Sequence, residues 1–211
     1  MNQLTVGGLA AVADAHRPNQ RALAKRRTRE KIVAAAKILF AERGYEGATI
    51  RDIAAAAGMS TGAVFASFTD KADLFIQIVE AEQAEIHAAM QAAAEGLKGR
   101  AAVAAMLDAA AERQIAELAL CQAAMSALWT PGLANQMRRR LARRSAVPML
   151  AAALRQDPCC GAPDAEFVAE TVWEAHLSTL RHAALDRLTL DEVKARIREQ
   201  LRLMLAGARR G

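Results

Sequence analysis

The stretch of residues 49–71 constrains the fold of this chain more than any other, because it sets where two short helices begin and end. Thr49 is a favoured N-cap residue, and Asp52 three positions later can complete a capping box. Gly58 follows where a left-handed residue can end a helix without a steric penalty, and Ser60 is a new N-cap. The sequence therefore predicts two helices separated by a tight turn at Gly58.

Each of these two helices has one apolar side to bury. On the first helix the apolar residues recur at helical spacing, and they are Ile50, Ile53, Ala54 and Ala57. The second helix, predicted from Thr61 to about Phe68, has Val64 and Phe68 on one side and small, uncharged residues on the other. A helix, a glycine-containing turn and a second helix form the helix-turn-helix motif, whose second helix enters the DNA major groove.

The composition favours helix throughout the chain. Aromatic residues make up only 4% of it, and no long window alternates apolar and polar residues as a half-buried strand would. Good helix formers such as Ala, Leu, Glu, Arg and Gln dominate. With 211 residues, 53% of them hydrophobic, the chain can bury a sizeable core. We therefore predict an all-α protein.

Charge and cysteine content limit the class of function. The net charge of +5 permits nucleic-acid binding without requiring it. Three cysteines are too few for a disulfide scaffold and fit a reducing, cytoplasmic location. No apolar run is long enough to span a bilayer, and residues 5–15 lack the basic flank that precedes a signal peptide's apolar region. We expect neither membrane insertion nor export.

Residues 1–27 are predicted to form a flexible basic N-terminal arm. Two interpretations of this arm stay open: a solvated tail, or a segment that neutralises phosphates or enters the minor groove. The first helix is then predicted from Thr28 to Arg43, and Gly44 should end it. Its apolar stripe consists of Ile32, Ala35, Ala36, Leu39 and Phe40.

A long helix is predicted from Asp70 to Ala94, with Lys71 in its first turn. A cation at this end opposes the helix dipole, whereas the helix N-terminus and a lysine can bind a phosphate together. We therefore interpret Lys71 as a phosphate ligand rather than as a solvated surface residue.

The remainder of the chain is predicted to be helical and to supply a dimer interface. The expected helices cover residues 101–120, 123–128, 133–154, 164–186 and 190–206. Pro148 should kink the third of these unless that helix ends nearby. A dense basic cluster is interpreted as a solvated helix face, with a second phosphate-contacting surface as the alternative, and it contains Arg138, Arg139, Arg140, Arg143 and Arg144. The helix at residues 164–186 carries apolar residues on several sides. The last helix has one apolar stripe of Leu190, Val193, Ile197, Leu201 and Leu205, and together the two suit a two-fold four-helix dimer interface, which the family resemblance described below also implies.

A longer register of residues resembles one family closely. It consists of the run from Thr28 to Phe40, Gly44-Tyr45, Thr49 to Ala54, Ala57 to Ser60, Gly62, Phe65, Phe68, Lys71 and Leu74-Phe75. This pattern, over about residues 28 to 78, resembles the N-terminal domain of the tetracycline-repressor (TetR) family. The resemblance implies a three-helix DNA-binding domain at residues 28–75 and a helical ligand-binding and dimerisation domain at residues 76–211.

The resemblance also implies roles for single residues. Positions that match the family's phosphate ligands are Thr49, Phe65, Ser67 and Lys71, and positions that can face bases are Arg51, Thr61 and Ala63. Ser60 and Gly62 complete the expected DNA-binding set. Phe65 lacks the family's phenol hydroxyl and Ser67 is shorter than the usual ring, so both phosphate contacts should be weaker. Arg51 is then the best candidate for a bidentate contact to guanine.

From these features we expect a homodimeric repressor that binds a palindromic operator in double-stranded DNA and is released by a small apolar ligand. The C-terminal residues expected to line the ligand pocket are Met106, Met125, Trp129, Trp173 and His176. For each of them, ordinary core packing is the competing interpretation. No cofactor or metal is expected.

Other functions stay open at this point. One is an activator, or a DNA-binding regulator that needs no ligand. Another is a redox sensor that uses Cys121, Cys159 and Cys160. An enzyme is not expected, because no catalytic triad, phosphate loop, dinucleotide fingerprint or di-iron Glu-x-x-His pair is present.

Overall fold

The computed structural model describes residues 20–141, 145–157 and 165–207, and every regular element in those ranges is a helix. The helices are α1 (Gln20–Gly47), α2 (Ile50–Ala56), α3 (Thr61–Phe65), α4 (Lys71–Ala93), α5 (Gly99–Ala116), α6 (Leu118–Ala127), α7 (Pro131–Leu141), α8 (Val147–Leu154), α9 (Ala165–Asp186) and α10 (Leu190–Gly207). The all-α prediction is confirmed. Within the described ranges, no helix combines the length and apolar character needed to cross a bilayer.

The first helix begins earlier than the sequence predicted. It starts at Gln20 rather than near Thr28, so the last part of the predicted flexible arm, up to residue 27, is helical. After Pro18 the sequence holds strong helix formers and no breaker, and Arg26 pairs with Glu30 one turn later at 3.4 Å. The rest of the predicted arm, residues 1–19, lies outside the described residues. The predicted end at Gly44 is marked by a positive φ of 69°, where the chain bends before a last turn to Gly47.

The turn between α2 and α3 has the hydrogen bonds that the caps predicted. The Thr49 hydroxyl accepts from the Asp52 N–H at the start of α2, and the Ser60 hydroxyl accepts from the Ala63 N–H at the start of α3. At the end of α2, Gly58 has a φ of 67°. The N–H groups of Gly58 and Met59 donate to the carbonyls of Ala55 and Ala54, at 3.0 and 2.9 Å. This pair of bonds is a Schellman motif, which explains why glycine is needed there.

The helix after the turn is shorter than predicted, because α3 ends at Phe65 rather than near Phe68. The N–H of Ser67 donates to the Val64 carbonyl, and the tighter spacing of this bond ends the helix. Phe68 nevertheless turns inward and is buried, as is Val64. The apolar side predicted for this segment is therefore confirmed although the helix is short.

An aromatic cluster holds the N-terminal helices together. Phe40 of α1 meets Phe75 of α4 edge to face, with 4.8 Å between ring centroids, and Tyr45 lies 5.1 Å from Phe75. The buried residues of α1 are the five of its predicted stripe. The same hydrophobic cluster continues into α6 and α7 through Leu120, Ala123, Ala127, Leu133 and Met137. The helix-turn-helix unit thus shares its core with the helices that follow it in sequence, and the predicted boundary after residue 75 falls inside α4.

A second hydrophobic cluster joins α5, α8, α9 and α10 with the end of α4. The apolar stripe of α10, predicted for a dimer interface, faces this cluster instead: Val193, Ile197, Leu201 and Leu205 are buried inside the protomer. The dimer assignment of this stripe was therefore wrong. One buried stripe on a helix cannot show by itself whether its partner belongs to the same chain or to another.

Two long helices predicted in the middle of the chain are each divided in the structure. The segment 101–120 breaks at Glu117, between α5 and α6, and the segment 133–154 is split into α7 and α8. Pro148 does not kink a helix. It stands in the first turn of α8, where the missing N–H costs no hydrogen bond.

The two glycines of the helix-turn-helix offer a matched test of backbone geometry. We expect Gly58→Ala to lower the free energy of unfolding by about 1–2 kcal/mol, because an alanine must adopt the left-handed conformation. No atom lies within 4 Å of the added Cβ, so packing does not contribute. Gly62→Ala should be neutral or stabilising by up to about 1 kcal/mol, since Gly62 is helical and a Cβ there meets only Ser60 Oγ at 3.7 Å. Urea denaturation followed by circular dichroism measures both; equal effects would contradict this explanation.

Candidate nucleic-acid interface

The outer face of α3 is small, uncharged and exposed, as the sequence predicted. Thr61, Gly62, Phe65 and Ala66 are exposed, while Ala63 and Ser67 are partly covered. Phe65 has 55% of its surface in solvent although it is a large apolar residue. An exposed aromatic ring on a short, uncharged helix face is a group that can contact a thymine methyl or a sugar.

The N-terminus of α2 contributes Thr49 and Arg51 beside this face. The Thr49 hydroxyl accepts from the Asp52 N–H at 3.1 Å and lies 2.8 Å from Asp52 Oδ2, to which it donates. Arg51 is exposed and, among the described residues, has no hydrogen-bond or ion-pair partner. A guanidinium with five unused donors can make a bidentate contact to guanine or bind a phosphate.

Lys71 has a structural role that the sequence did not reveal. Its ammonium donates to the carbonyl oxygens of Tyr45 at 2.9 Å and Ala48 at 3.2 Å, and lies 4.2 Å from the centroid of the Tyr45 ring. The lysine therefore ties the start of α4 to the connection between α1 and α2. It is not the freely solvated side chain considered as the alternative, and in this geometry only one of its three N–H donors is left to face a phosphate.

Arg29 makes a second long-range contact that was missed. Its guanidinium donates to the Ser67 carbonyl at 2.9 Å and to Gln77 Oε1, and lies 4.2 Å from the centroid of the Phe68 ring. In the sequence this residue was one of a basic run, and nothing in its neighbours distinguishes it. The structure uses it to hold the turn between α3 and α4 against α1.

Arg140 is paired, which corrects its assignment to a solvated face. It donates to Glu80 Oε1 at 3.0 Å, to Glu80 Oε2 at 2.5 Å and to Asp73 Oδ1 at 2.9 Å, so it joins α7 to α4. Burial alone would raise the pKa of Asp73, but hydrogen bonds from Gln77, the Thr69 N–H and Arg140 lower it below its usual value. Arg138 and Arg139 are exposed, and Arg143 and Arg144 lie outside the described residues.

A cavity of about 460 Å³ lies beside this connection, between α4 and α9. The predicted pocket residues Met125 and Trp173 line it, and Trp173 stacks on His176 with 4.9 Å between ring centroids. Trp129 is 89% exposed and lines an adjoining groove of about 550 Å³. Met106 is buried in the second hydrophobic cluster, the ordinary core position considered as its alternative.

His176 is 1% exposed, and its Nε2 lies 2.6 Å from Gln114 Oε1. Burial lowers the pKa of His176 to about 4, so the imidazole is neutral at pH 7. Gln114 also lines the cavity, although the sequence analysis did not name it. In the described part of the chain, no group of three or more His, Cys, Asp or Glu residues is placed to hold a metal ion.

Comparison with known proteins agrees with this geometry. Residues 32–78 match the family described as bacterial regulatory proteins, tetR family. The HTH-type transcriptional repressor AcnR of Corynebacterium glutamicum is 42% identical over 59 residues, which are 28% of this chain and 31% of that protein. The chain therefore spans about a third of the length of this curated relative.

Solved structures extend the likeness to most of the chain. A transcriptional regulator from Rhodococcus sp. Rha1 has a TM-score of 0.68 and 25% identity, over 86% of this chain and 97% of its own. A regulator of the TerR/AcrR family from Aquifex aeolicus VF5 has a TM-score of 0.66 and 22% identity, over 84% of this chain and 99% of its own. The capped helix-turn-helix and the family match agree, and residues 32–78 are a DNA-binding domain of the type found in bacterial regulatory proteins of the tetR family.

Proposed function

We propose that this protein is a sequence-specific transcriptional regulator, a homodimeric repressor that leaves its operator when a small, largely apolar molecule binds its C-terminal helices. The observation that carries the proposal is the capped turn that joins α2, whose exposed Arg51 has no side-chain partner among the described residues, to the exposed face of α3. Helix-turn-helix proteins insert such a helix into the major groove.

The residues around α3 support a division of labour in DNA binding. Arg51 is suited to reading guanine, and Thr61 and Ala63 to hydrogen bonding and methyl contact with neighbouring bases. Thr49, Ser60, Gly62 and the backbone around them approach the sugar-phosphate strands. Phe65 and Ser67 are uncharged, so the affinity of one DNA-binding unit should be low. Two units bound to a palindromic operator would supply the additional affinity.

Exposed apolar residues on α9 and α10 support dimerisation. Phe167 and Leu185, near the two ends of α9, are each 72% exposed, and Leu203 of α10 is also exposed. Apolar side chains that share a helix or lie on neighbouring helices can form one patch for another surface to cover. A second copy of the chain, packed antiparallel in a four-helix arrangement, would cover them symmetrically.

A chain of polar contacts supports coupling between the cavity and α3, the helix proposed to enter the major groove. Helix α7 contributes Met137, Arg138 and Leu141 to the cavity wall. The neighbouring Arg140 donates hydrogen bonds to Asp73 and Glu80 of α4. Asp73 in turn accepts from Gln77, which accepts from Arg29, whose other donor holds the Ser67 carbonyl. A ligand that displaces α7 would therefore change how α3 is held, which can shift the population away from the DNA-binding arrangement.

The alternative of a redox sensor has little support from its described cysteine. Burial raises the pKa of Cys121 to about 11, so its thiol is almost fully protonated at neutral pH. The thiolate is the reactive species, so Cys121 should react slowly with oxidants. Cys159 and Cys160 lie outside the described residues.

The role of Arg51 can be tested by its effect on discrimination between duplexes. We expect Arg51→Ala to relax specificity at one base pair by about 1–3 kcal/mol, with a smaller effect on nonspecific DNA. Arg51→Lys is the control, since it keeps the charge and loses the bidentate geometry, and it should lose discrimination as well. Binding to systematically mutated operators measures this. An equal loss on every duplex would assign Arg51 to the phosphates.

The role of Lys71 can be tested by comparing stability with DNA binding. We expect Lys71→Met to lower the free energy of unfolding by about 1–3 kcal/mol, because two carbonyls lose their donor. Lys31→Met, which removes an exposed lysine of α1, should change it by less than about 0.5 kcal/mol. Urea denaturation and the salt dependence of DNA binding are measured together. Unchanged stability with a smaller salt slope would show that the ammonium serves DNA alone.

The dimer can be tested on α9. We expect Leu185→Asp to convert the protein to a monomer and to weaken operator binding at least tenfold, because a charge would be placed in the apolar interface. Ile38→Asp is the control, since Ile38 is also exposed but lies on α1. Light scattering after size exclusion gives the mass of each variant. A Leu185→Asp protein that stays dimeric would remove this end of α9 from the interface.

A further inference from the structure

The charge in the described lining of the 460 Å³ cavity is of one sign only. Most of the described lining is aliphatic, with Val79, Ala124, Met125, Leu128, Ala134, Met137, Leu141, Ala146 and Leu177. The charged residue in that described lining is Arg138, and no carboxylate is found there. Arg138 has no ion-pair or hydrogen-bond partner among the described residues, in contrast to Arg140 two positions later. Its positive charge is therefore not neutralised within the described part of the protein.

The contact between His176 and Gln114 determines what the glutamine can offer to the cavity. The Gln114 carbonyl oxygen can only accept a hydrogen bond, so the His176 nitrogen at 2.6 Å carries the proton and donates it. The neutral imidazole then has a bare Nδ1, and this atom is buried without a partner among the described residues. The hydrogen bond to Gln114 selects this tautomer, and the stacked Trp173 ring holds the imidazole in its orientation.

With its oxygen engaged, Gln114 is left with its amide nitrogen, which has two N–H donors and no acceptor. The cavity wall therefore combines donors from Gln114 with the cation of Arg138, within a lining that is largely apolar. Gln83 and Ser145 also line the cavity, and each is neutral and can both donate and accept. An ammonium group would find no carboxylate partner among the described lining residues. A carboxylate would find two kinds of donor, and hydrogen bonds to charged groups are stronger than neutral ones.

We propose that the cavity binds an aliphatic monocarboxylate, whose hydrocarbon chain fills the apolar part while its carboxylate accepts hydrogen bonds from Gln114 and Arg138. This assignment rests on the proposed ligand-responsive function and specifies its ligand class. The volume of about 460 Å³ is within the usual size range of small-molecule sites and leaves room for a chain of medium length. His176 acts through Gln114 as a positioning residue.

The two tryptophans of the chain permit a direct test. In a Trp129→Phe background, Trp173 is the sole indole, and it lines the cavity. The probes are decanoate, decanol and decylammonium, which share a chain and differ in the head group. We expect decanoate to change Trp173 fluorescence and to raise the melting temperature. Its affinity should be at least tenfold higher than that of decylammonium, and the affinity of decanol should lie between the two.

Variants of the two donors should change this order. Arg138→Gln should weaken decanoate binding by about fivefold, whereas Arg139→Gln, its exposed neighbour outside the described lining, should not. Gln114→Glu replaces donors with a carboxylate and should reverse the preference in favour of decylammonium. Because Gln114 is buried, Arg138→Glu provides a second, exposed variant with the same expected direction.

The outcomes separate the ligand class from the proposed function. Decylammonium binding as tightly as decanoate, or an order of affinities unaffected by the Gln114 and Arg138 variants, would overturn the ligand assignment. Operator binding by the same protein is measured independently with labelled duplexes. Selective operator binding without decanoate binding would leave the regulator intact and refute the ligand class, while decanoate binding without any duplex preference would do the reverse.

Discussion

The contact of Lys71 with the carbonyls of Tyr45 and Ala48 is the constraint on which the N-terminal unit depends. The last carbonyls of a helix carry partial negative charge and have no partner within the helix. The Lys71 ammonium, at the start of α4, donates hydrogen bonds to two such carbonyls in the connection between α1 and α2. The angle between α1 and α4 is fixed there, and the aromatic cluster of Phe40, Tyr45 and Phe75 fills the space behind. The capped turn and the outer face of α3 are held on this frame.

The features that could be predicted from the sequence are those set by neighbours in the chain. The caps at Thr49 and Ser60 and the left-handed Gly58 each depend on residues within one turn, and the structure confirms all three. The buried stripe of α1 was predictable for the same reason, since helical spacing alone defines it.

The features that could not be predicted depend on residues far apart in sequence. Arg29 contacts Ser67 and Gln77, and Arg140 contacts Asp73 and Glu80, but no local pattern distinguishes these arginines from solvated ones. Gln114 was missed because a single glutamine within a helix carries no signal until His176 is placed against it. Such pairings appear only once the helices are packed, and here they connect the cavity, α4 and the segment that follows α3.

The early start of α1 has a consequence for the basic residues in its first turns. Lys25, Arg26 and Arg27 are exposed on a continuous helix rather than on a loose strand of chain. A segment that is already ordered does not lose the roughly 1–2 kcal/mol of backbone entropy per residue that a coil loses on docking. These cations therefore lie at fixed positions along the helix, and a negatively charged partner could contact them without first ordering this part of the chain.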